Sequence, residues 1–284
     1  MMLKRTFGSK IIIHGIVACF VAVTALYSPS FAQDNSALNR LTKRDELFGW
    51  EAVGRLDIHR KGTCTGVLIA KDLVLTAAHC VVSGKPVKPE SLTFKAGYRD
   101  GVSIAERSVA RFVIHARYDP NDPSGYRRAQ SDIALLQLDQ PVSTGVIDPF
   151  VVDYPSSNGK TISVVSYARN RNEALSWQRS CSILGKRDGL IAFDCDVTFG
   201  SSGAPVFEKT GLRVRVISLV SRGTRNENGV IAVGMELPKL VNDLKRALRS
   251  GRGVIESETS VSPTPQVRNG LPKSGDSSAK FLKP

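Results

Sequence analysis

Residues 198–207 read TFGSSGAPVF and place two serines, Ser201 and Ser202, side by side in a stretch poor in other reactive side chains. A serine hydroxyl is a weak nucleophile unless a base removes its proton and a third group holds that base in place. The stretch therefore directs the search to a histidine and a carboxylate elsewhere in the chain. By itself it leaves open which of the two serines would react.

His79 is the best candidate for the base. His59 and His115 lie among strand-like residues with no special context, whereas His79 lies in VLTAAHC, where small side chains leave space beside it. Cys80 could anchor the segment. The sequence therefore predicts that His79 accepts the proton.

Asp132 is the best candidate for the carboxylate that holds the histidine. It immediately precedes the apolar run IALLQL, so burial is expected, whereas Asp119 and Asp122 lie in a loop with two prolines. Solvent would weaken the hold of a carboxylate on an imidazole, so the buried position is preferred.

The chain order of these residues excludes other serine hydrolases. An α/β-hydrolase needs a histidine after its serine, and the last histidine is His115. The G-x-S-x-G motif of that class also fails around both serines. A subtilisin-like order would need an aspartate before His79, where Asp57 and Asp72 have no supporting motif.

Hydrophobic patterning favours an all-β domain followed by one helix. With 284 residues and 42% hydrophobic content the chain can bury a substantial core. Short apolar runs separated by turn residues extend from Val53 to about Gly234, which is typical of a sandwich or barrel. A helix is expected near the end because apolar residues recur there at intervals of three and four, with Pro238 in the first turn. These apolar positions are Leu237, Leu240, Val241, Leu244 and Leu248.

The first 32 residues have the pattern of a secretory signal peptide. Basic residues precede an apolar run from Ile11 to Leu26, and Ser30 and Ala32 offer a cleavage site. The run is shorter than the roughly 20 residues of a membrane span, which argues against a membrane anchor. An anchor and a lipidated Cys19 are the two alternatives to a cleaved signal peptide. Cleavage after Ala32 predicts a secreted or periplasmic protein without an integral membrane span.

The basic charge indicates a solvated surface rather than a nucleic-acid site. Loss of the first 32 residues changes the formal net charge from +13 to +10. The cations are scattered, with no aromatic-interleaved basic block and no nucleic-acid motif, so nucleic acid is not expected as a partner.

Four cysteines remain after Cys19 and predict two disulfides in an oxidising compartment, with three pairings open. Their spacing does not match a metal site, and no oxygen-rich loop has the spacing of a calcium site, so no metal or cofactor is expected. The oligomeric state is left open.

Three segments in order, LTAAHC, SDIALLQL and GSSGAP, resemble the signature segments of the chymotrypsin-like, trypsin-fold serine proteases. The similarity spans roughly residues 49–248. It is closest in appearance to the bacterial branch of glutamyl endopeptidases and related trypsin-like peptidases.

This resemblance implies an all-β fold of two six-stranded antiparallel β-barrels with a C-terminal helix. Together with the signal-peptide pattern and the polar composition of the segments on either side, it divides the chain into a signal peptide (1–32), a propeptide or N-terminal arm (33–48), a protease domain (49–250) and a disordered tail (251–284). The composition of the tail also favours disorder.

The resemblance also assigns roles. Ser202 is the nucleophile, because it is the serine directly before the glycine of the turn, and the N–H groups of Gly200 and Ser202 bind the oxyanion. Ser221 hydrogen-bonds Asp132, and Ser221 with Gly223 belongs to the segment that pairs with the substrate. Asp196 would be the base of the specificity pocket and would favour cleavage after Arg or Lys. The implied disulfides are Cys64–Cys80 and Cys181–Cys195.

The function expected from these residues is that of an exported serine endopeptidase that cleaves polypeptides through an acyl-enzyme. A catalytically inactive binding protein on the same scaffold is the alternative. A lipase or esterase is disfavoured by the missing motif.

Overall fold

Buried and less buried residues alternate along the strands of this chain. The computed structural model describes residues 38–156, 161–210, 213–227 and 229–258. In residues 92–96, Leu92, Phe94 and Ala96 are buried while the two residues between them are half-buried. This period of two is that of a strand with one face on a core.

The secondary structure elements are as follows. The strands are β1 (Leu38–Arg40), β2 (Val53–Ile58), β3 (Gly62–Ala70), β4 (Leu73–Thr76), β5 (Val82–Ser83), β6 (Lys85–Pro86), β7 (Leu92–Ala96), β8 (Ala105–Ile114), β9 (Ala134–Leu138), β10 (Thr161–Ser166), β11 (Ser176–Arg187), β12 (Leu190–Phe193), β13 (Pro205–Thr210), β14 (Arg213–Asn226), β15 (Gly229–Met235) and β16 (Val254–Glu256). The helices are α1 (Ala78–Val81), α2 (Gly125–Gln130) and α3 (Pro238–Ser250), with 3₁₀ turns at Asp45–Leu47 and Pro89–Ser91.

Two antiparallel barrels of six strands are formed. The first has the order β8-β7-β2-β3-β4-β9 and closes through pairing of β8 with β9. The second has the order β11-β10-β13-β14-β15-β12 and closes through pairing of β11 with β12. The predicted fold class, two six-stranded barrels with a C-terminal helix, is confirmed.

Each barrel gains a short additional strand from an end of the described chain. β1 pairs with β11 of the second barrel, and β16 pairs with β8 of the first. The structure thus places residues 38–48 of the predicted propeptide or arm, and residues 251–258 of the predicted tail, against the barrels. The predicted signal peptide and residues 259–284 of the tail lie outside the described residues.

Trp50 lies at the centre of a core shared by both barrels. This core contains Val53 and Leu135 from the first barrel and Val165 and Phe207 from the second. The ring centroids of Trp50 and Phe207 are 5.0 Å apart. Because such contacts add to the burial of a large ring, Trp50 couples the two barrels.

α3 follows the predicted periodicity. Leu240, Val241, Leu244 and Leu248 are buried, and the helix ends at Gly251, whose φ of 72° is the left-handed conformation of a C-terminal cap. No helix in the described part of the chain is long and apolar enough to cross a membrane.

Replacement of Trp50 by Ala is expected to lower the free energy of unfolding by about 3–5 kcal/mol, the cost typical of deleting a buried large ring. Phe48→Ala is the matched control, because Phe48 is 76% exposed and Trp50 only 8%. The control should change stability by less than about 0.5 kcal/mol. Urea denaturation followed by circular dichroism measures both, and equal losses would contradict the role of Trp50.

Candidate active site

Three of the predicted site residues lie on different elements around one cleft. His79 lies in α1, directly after β4, and Asp132 lies two residues before β9. Ser202 lies in the turn that leads into β13 of the second barrel. His79 and Ser202 both line the cleft, together with Gly200, Ser221 and Gly223.

Asp132 holds His79 by two hydrogen bonds. The backbone N–H of His79 donates to Asp132 Oδ1 at 2.9 Å, and His79 Nδ1 lies 2.7 Å from Asp132 Oδ2. Asp132 is only 3% exposed, whereas the histidine ring reaches the cleft. The carboxylate therefore fixes both the backbone and the ring of His79.

Ser221, a residue of the second barrel, supplies a further hydrogen bond to Asp132. Its hydroxyl donates to Asp132 Oδ2 at 2.6 Å. The pairing register of β14 with β15 shifts between Val220 and Arg222, so Ser221 lies in a bulge. A bulge redirects the side chain of the inserted residue, which explains how a strand residue reaches across to the first barrel.

His79 has a raised pKa. Burial alone would lower the pKa of this imidazole, but the hydrogen bond and the negative charge of Asp132 outweigh burial. The ring is thus a stronger base than an isolated histidine.

The structure distinguishes the two serines. Ser201 is fully buried, and its Oγ lies 3.3 Å from Ser166 Oγ. Ser202 is half-buried and lines the cleft. Gly203, which follows it, has a φ of 75°, and a Cβ there would lie 2.3 Å from Thr76 Oγ1. Only glycine fits at this point, because the turn lies in direct contact with the first barrel.

Two backbone N–H groups at this turn are available to a ligand. Phe199 O accepts a hydrogen bond from Arg169 N at 2.6 Å, and in a trans peptide the N–H of Gly200 points the opposite way. Neither the Gly200 N–H nor the Ser202 N–H donates to an acceptor among the described residues. Both N–H groups are therefore open to an acceptor that the described residues do not supply.

Thr65 is a contributor that sequence reasoning missed. Its backbone N–H donates to Ser202 O at 2.9 Å, and its hydroxyl donates to Gly200 O at 3.0 Å. Thr65 is fully buried in β3 of the first barrel. The signal in the sequence was weak, because Thr63 and Thr65 both flank Cys64 in β3.

Two disulfides brace the site within the described chain, and they are the pairs that the resemblance implied. Cys64–Cys80 links β3 to the helix that carries His79. Cys181–Cys195 links β11 to the segment before Val197.

Asp196 lies elsewhere than the pocket hypothesis requires. It is exposed and does not line the cleft. Its charge acts instead on Arg171, whose pKa is lowered by burial, an effect that Asp196 partly offsets. The expected carboxylate at the base of the pocket is therefore not supported.

Valine side chains occupy the region where that pocket was expected. Val197, Val220 and Val230 line it together with Gly223. A Cβ on Gly223 would lie 2.7 Å from Val197 Cγ2 and 3.8 Å from Val230 Cγ1. These lining side chains are apolar, and Val197 lies close beside the Cα of Gly223.

The rim of the cleft carries positive charge. Lys61, Arg169 and Arg222 line it, and no acidic residue does so among the described residues. Arg222 reaches to the start of α2, where a Cβ on Gly125 would overlap its guanidinium. Lys61 and Arg169 lie in loops and Arg222 in β14, so their separation along the sequence gave the sequence analysis no signal.

Within the described residues, no group of three or more potential metal ligands is present. The arrangement offers a base, a shielded carboxylate, a hydroxyl and two N–H donors, a set suited to acyl transfer.

Comparison with known proteins finds relatives in sequence and in fold. The Trypsin family model matches residues 44–242. Glutamyl endopeptidase of Bacillus licheniformis is 27% identical over 158 residues, which are 54% of this chain and 47% of that protein. Serine protease SP24D of Anopheles gambiae is 31% identical over 163 residues, 50% of this chain and 57% of that protein.

A solved structure of a Glu endopeptidase in complex with MPD has the same fold. Its TM-score is 0.60 at 18% identity, and the match covers 75% of this chain and 96% of that one. The chain spans about half the length, or less, of the curated relatives it matches first.

Asp132→Asn is expected to lower the pKa of His79, because the charge is lost while burial of the ring remains. NMR titration of the imidazole C–H signals measures it. His115 is the internal control, since it faces Asp243 rather than Asp132 and should be unaffected. An unchanged pKa of His79, or equal pKa changes in His79 and His115, would contradict the assignment of Asp132 as the partner of His79.

Proposed function

The chain belongs to the trypsin family, and on that premise we propose that it is an exported serine endopeptidase. The observation that carries the proposal is the buried Asp132 bonded to His79, with Ser202 on the same cleft. Both barrels supply members of this set, as expected when a site forms between them.

The proposed reaction begins with attack of Ser202 Oγ on the peptide carbonyl. His79 takes the serine proton at Nε2, because its Nδ1 is bonded to Asp132. The carbonyl oxygen becomes an anion that the N–H groups of Gly200 and Ser202 stabilise.

His79 then returns the proton to the leaving amine, and an acyl-enzyme remains on Ser202. A water molecule then attacks the ester while His79 takes one of its protons. His79 passes that proton to Ser202 Oγ as the acyl group leaves, which releases the second product and restores the starting enzyme. Asp132 stays ionised throughout and stabilises the imidazolium that forms twice in each cycle.

Export is part of the proposal. The two cystines support an oxidising compartment such as the periplasm or the exterior of the cell. Residues 1–32 would supply the signal peptide.

For specificity, we propose a small apolar residue before the scissile bond rather than Arg or Lys. Val197 and Val230 narrow an apolar pocket, and Asp196 lies outside it. The cations Lys61, Arg169 and Arg222 repel basic side chains at the rim and favour acidic ones elsewhere in the peptide.

The proposed activity predicts covalent labelling of Ser202 by a fluorophosphonate probe, read by mass spectrometry of the labelled peptide. Ser202→Ala should abolish labelling, and Ser201→Ala should leave Ser202 labelled because Ser201 is buried. Labelling should decline as the pH falls through the raised pKa of His79, since only the neutral imidazole is a base.

A folded protein that stays unlabelled at neutral pH would overturn the hydrolase proposal and favour the inactive binding protein. Labelling that persists in Ser202→Ala would move the nucleophile to another residue.

The pocket predicts a kcat/KM for matched peptides that is about tenfold or more higher with Ala or Val than with Arg or Phe before the scissile bond. Val197→Ala should raise kcat/KM for the larger apolar residues, because it removes the side chain that faces Gly223. Asp196→Ser is the control and should leave the kcat/KM values for these peptides unchanged. A wild type that prefers Arg, and loses this preference in Asp196→Ser, would instead establish the basic specificity.

A further inference from the structure

A second concave surface lies away from the cleft, between α3 and the end of β8. It is lined by residues 113–117 on one side and by α3 and residues 252–253 on the other. None of its lining residues also lines the cleft. We call this surface the α3 groove.

The α3 groove is strongly basic. Five cations line it, and Asp243 is its single acid among the described residues. The five cations are Arg117, Lys239, Arg246, Arg249 and Arg252.

Only part of this charge is neutralised within the protein. Asp243 binds Lys239 at 3.1 Å and also pairs with Arg246. Arg117, Arg249 and Arg252 have no carboxylate partner among the described residues, and all three are exposed. Their charges are therefore available to a ligand.

A buried histidine beneath the groove does not add to its charge. His115 is 6% exposed, and its Nε2 lies 3.7 Å from Asp243 Oδ2. Burial and the charge of Arg117 lower the pKa of His115, so the ring is neutral at physiological pH. Recognition then depends on the arginines and Lys239.

The cations are spread along the groove rather than gathered at one point. α3 has 13 residues, which corresponds to a length of about 20 Å. Lys239 lies in its first turn, Arg249 in its last, and Arg252 beyond it. Such spacing suits a polymer with repeated anionic groups better than a single anion.

The other properties of the groove indicate which polymer. None of its lining residues is Phe, Tyr or Trp, and the ring of His115 is buried, so it offers no exposed ring on which nucleic-acid bases could stack. None of the exposed large hydrophobic residues lines it, so it has no side chains to insert into a membrane. Guanidinium groups pair well with sulfate and carboxylate oxygens.

We propose that the α3 groove binds an anionic polysaccharide that carries sulfate or carboxylate groups. The affinity is electrostatic and declines steeply with salt, because binding releases counterions. This site is independent of the proposed catalytic chemistry.

Heparin serves as the probe, with binding to the full chain measured by calorimetry and by elution from a heparin column. The double variant Arg249→Gln/Arg252→Gln should bind about tenfold or more weakly, because two charge-assisted contacts are lost. It should elute at lower salt than the wild type.

The matched control is Arg44→Gln/Lys85→Gln, which removes the same charge from exposed residues outside the groove. It should bind heparin like the wild type. Thermal melts by circular dichroism establish that both variants are folded, and hydrolysis of a short peptide should be equal in both.

Absence of heparin binding by the wild type, or equal weakening in both double variants, would overturn the proposal. So would tighter binding of single-stranded DNA or of phosphatidylglycerol vesicles than of heparin at equal salt. These outcomes do not depend on whether Ser202 is reactive, so the two proposals fail separately.

Discussion

The buried carboxylate of Asp132 is the group on which the candidate site depends. Burial of a charge costs several kcal/mol unless hydrogen bonds compensate for the lost water. Here the compensation comes from the backbone and ring of His79 and from the Ser221 hydroxyl. Because Ser221 belongs to the second barrel, Asp132 has its full set of donors only when the two barrels are docked.

The turn that carries Ser202 depends on the same docking through different atoms. Thr65 of the first barrel donates to Ser202 O and to Gly200 O, and Thr76 Oγ1 leaves no room for a side chain at position 203. The geometry of the turn is therefore set by the barrel that carries His79. This arrangement fixes the serine relative to the histidine without a direct link between their side chains.

Strong local periodicity made much of the fold predictable, and long-range pairing accounts for what was missed. The spacing of Leu240, Leu244 and Leu248 specified one buried helix face. The histidine and the aspartate could be selected because the residues next to them in the sequence are distinctive. β1 and β16 have only three residues each, so they have no periodicity of their own. Their pairing with β11 and β8 depends on tertiary contacts that no local pattern encodes.

The direction in which Asp196 points could not be predicted from the sequence. Asp196 and Val197 are neighbours, and only Val197 lines the cleft. A change of one residue in a strand-like segment reverses the direction of the side chain, so counting back from Ser202 could not decide between them. The basic α3 groove was hidden for a related reason, since Arg117 and Arg252 meet there from distant parts of the sequence.

The contacts that hold the turn of Ser202 are between uncharged groups. Ser201 Oγ lies against Ser166 Oγ and accepts from the Thr198 N–H, while Phe199 O accepts from the Arg169 N–H. None of these groups titrates near neutral pH, so protonation of His79 leaves the turn and its two free N–H donors in place. A loss of reactivity at acid pH would then report the charge on His79 rather than collapse of the oxyanion site.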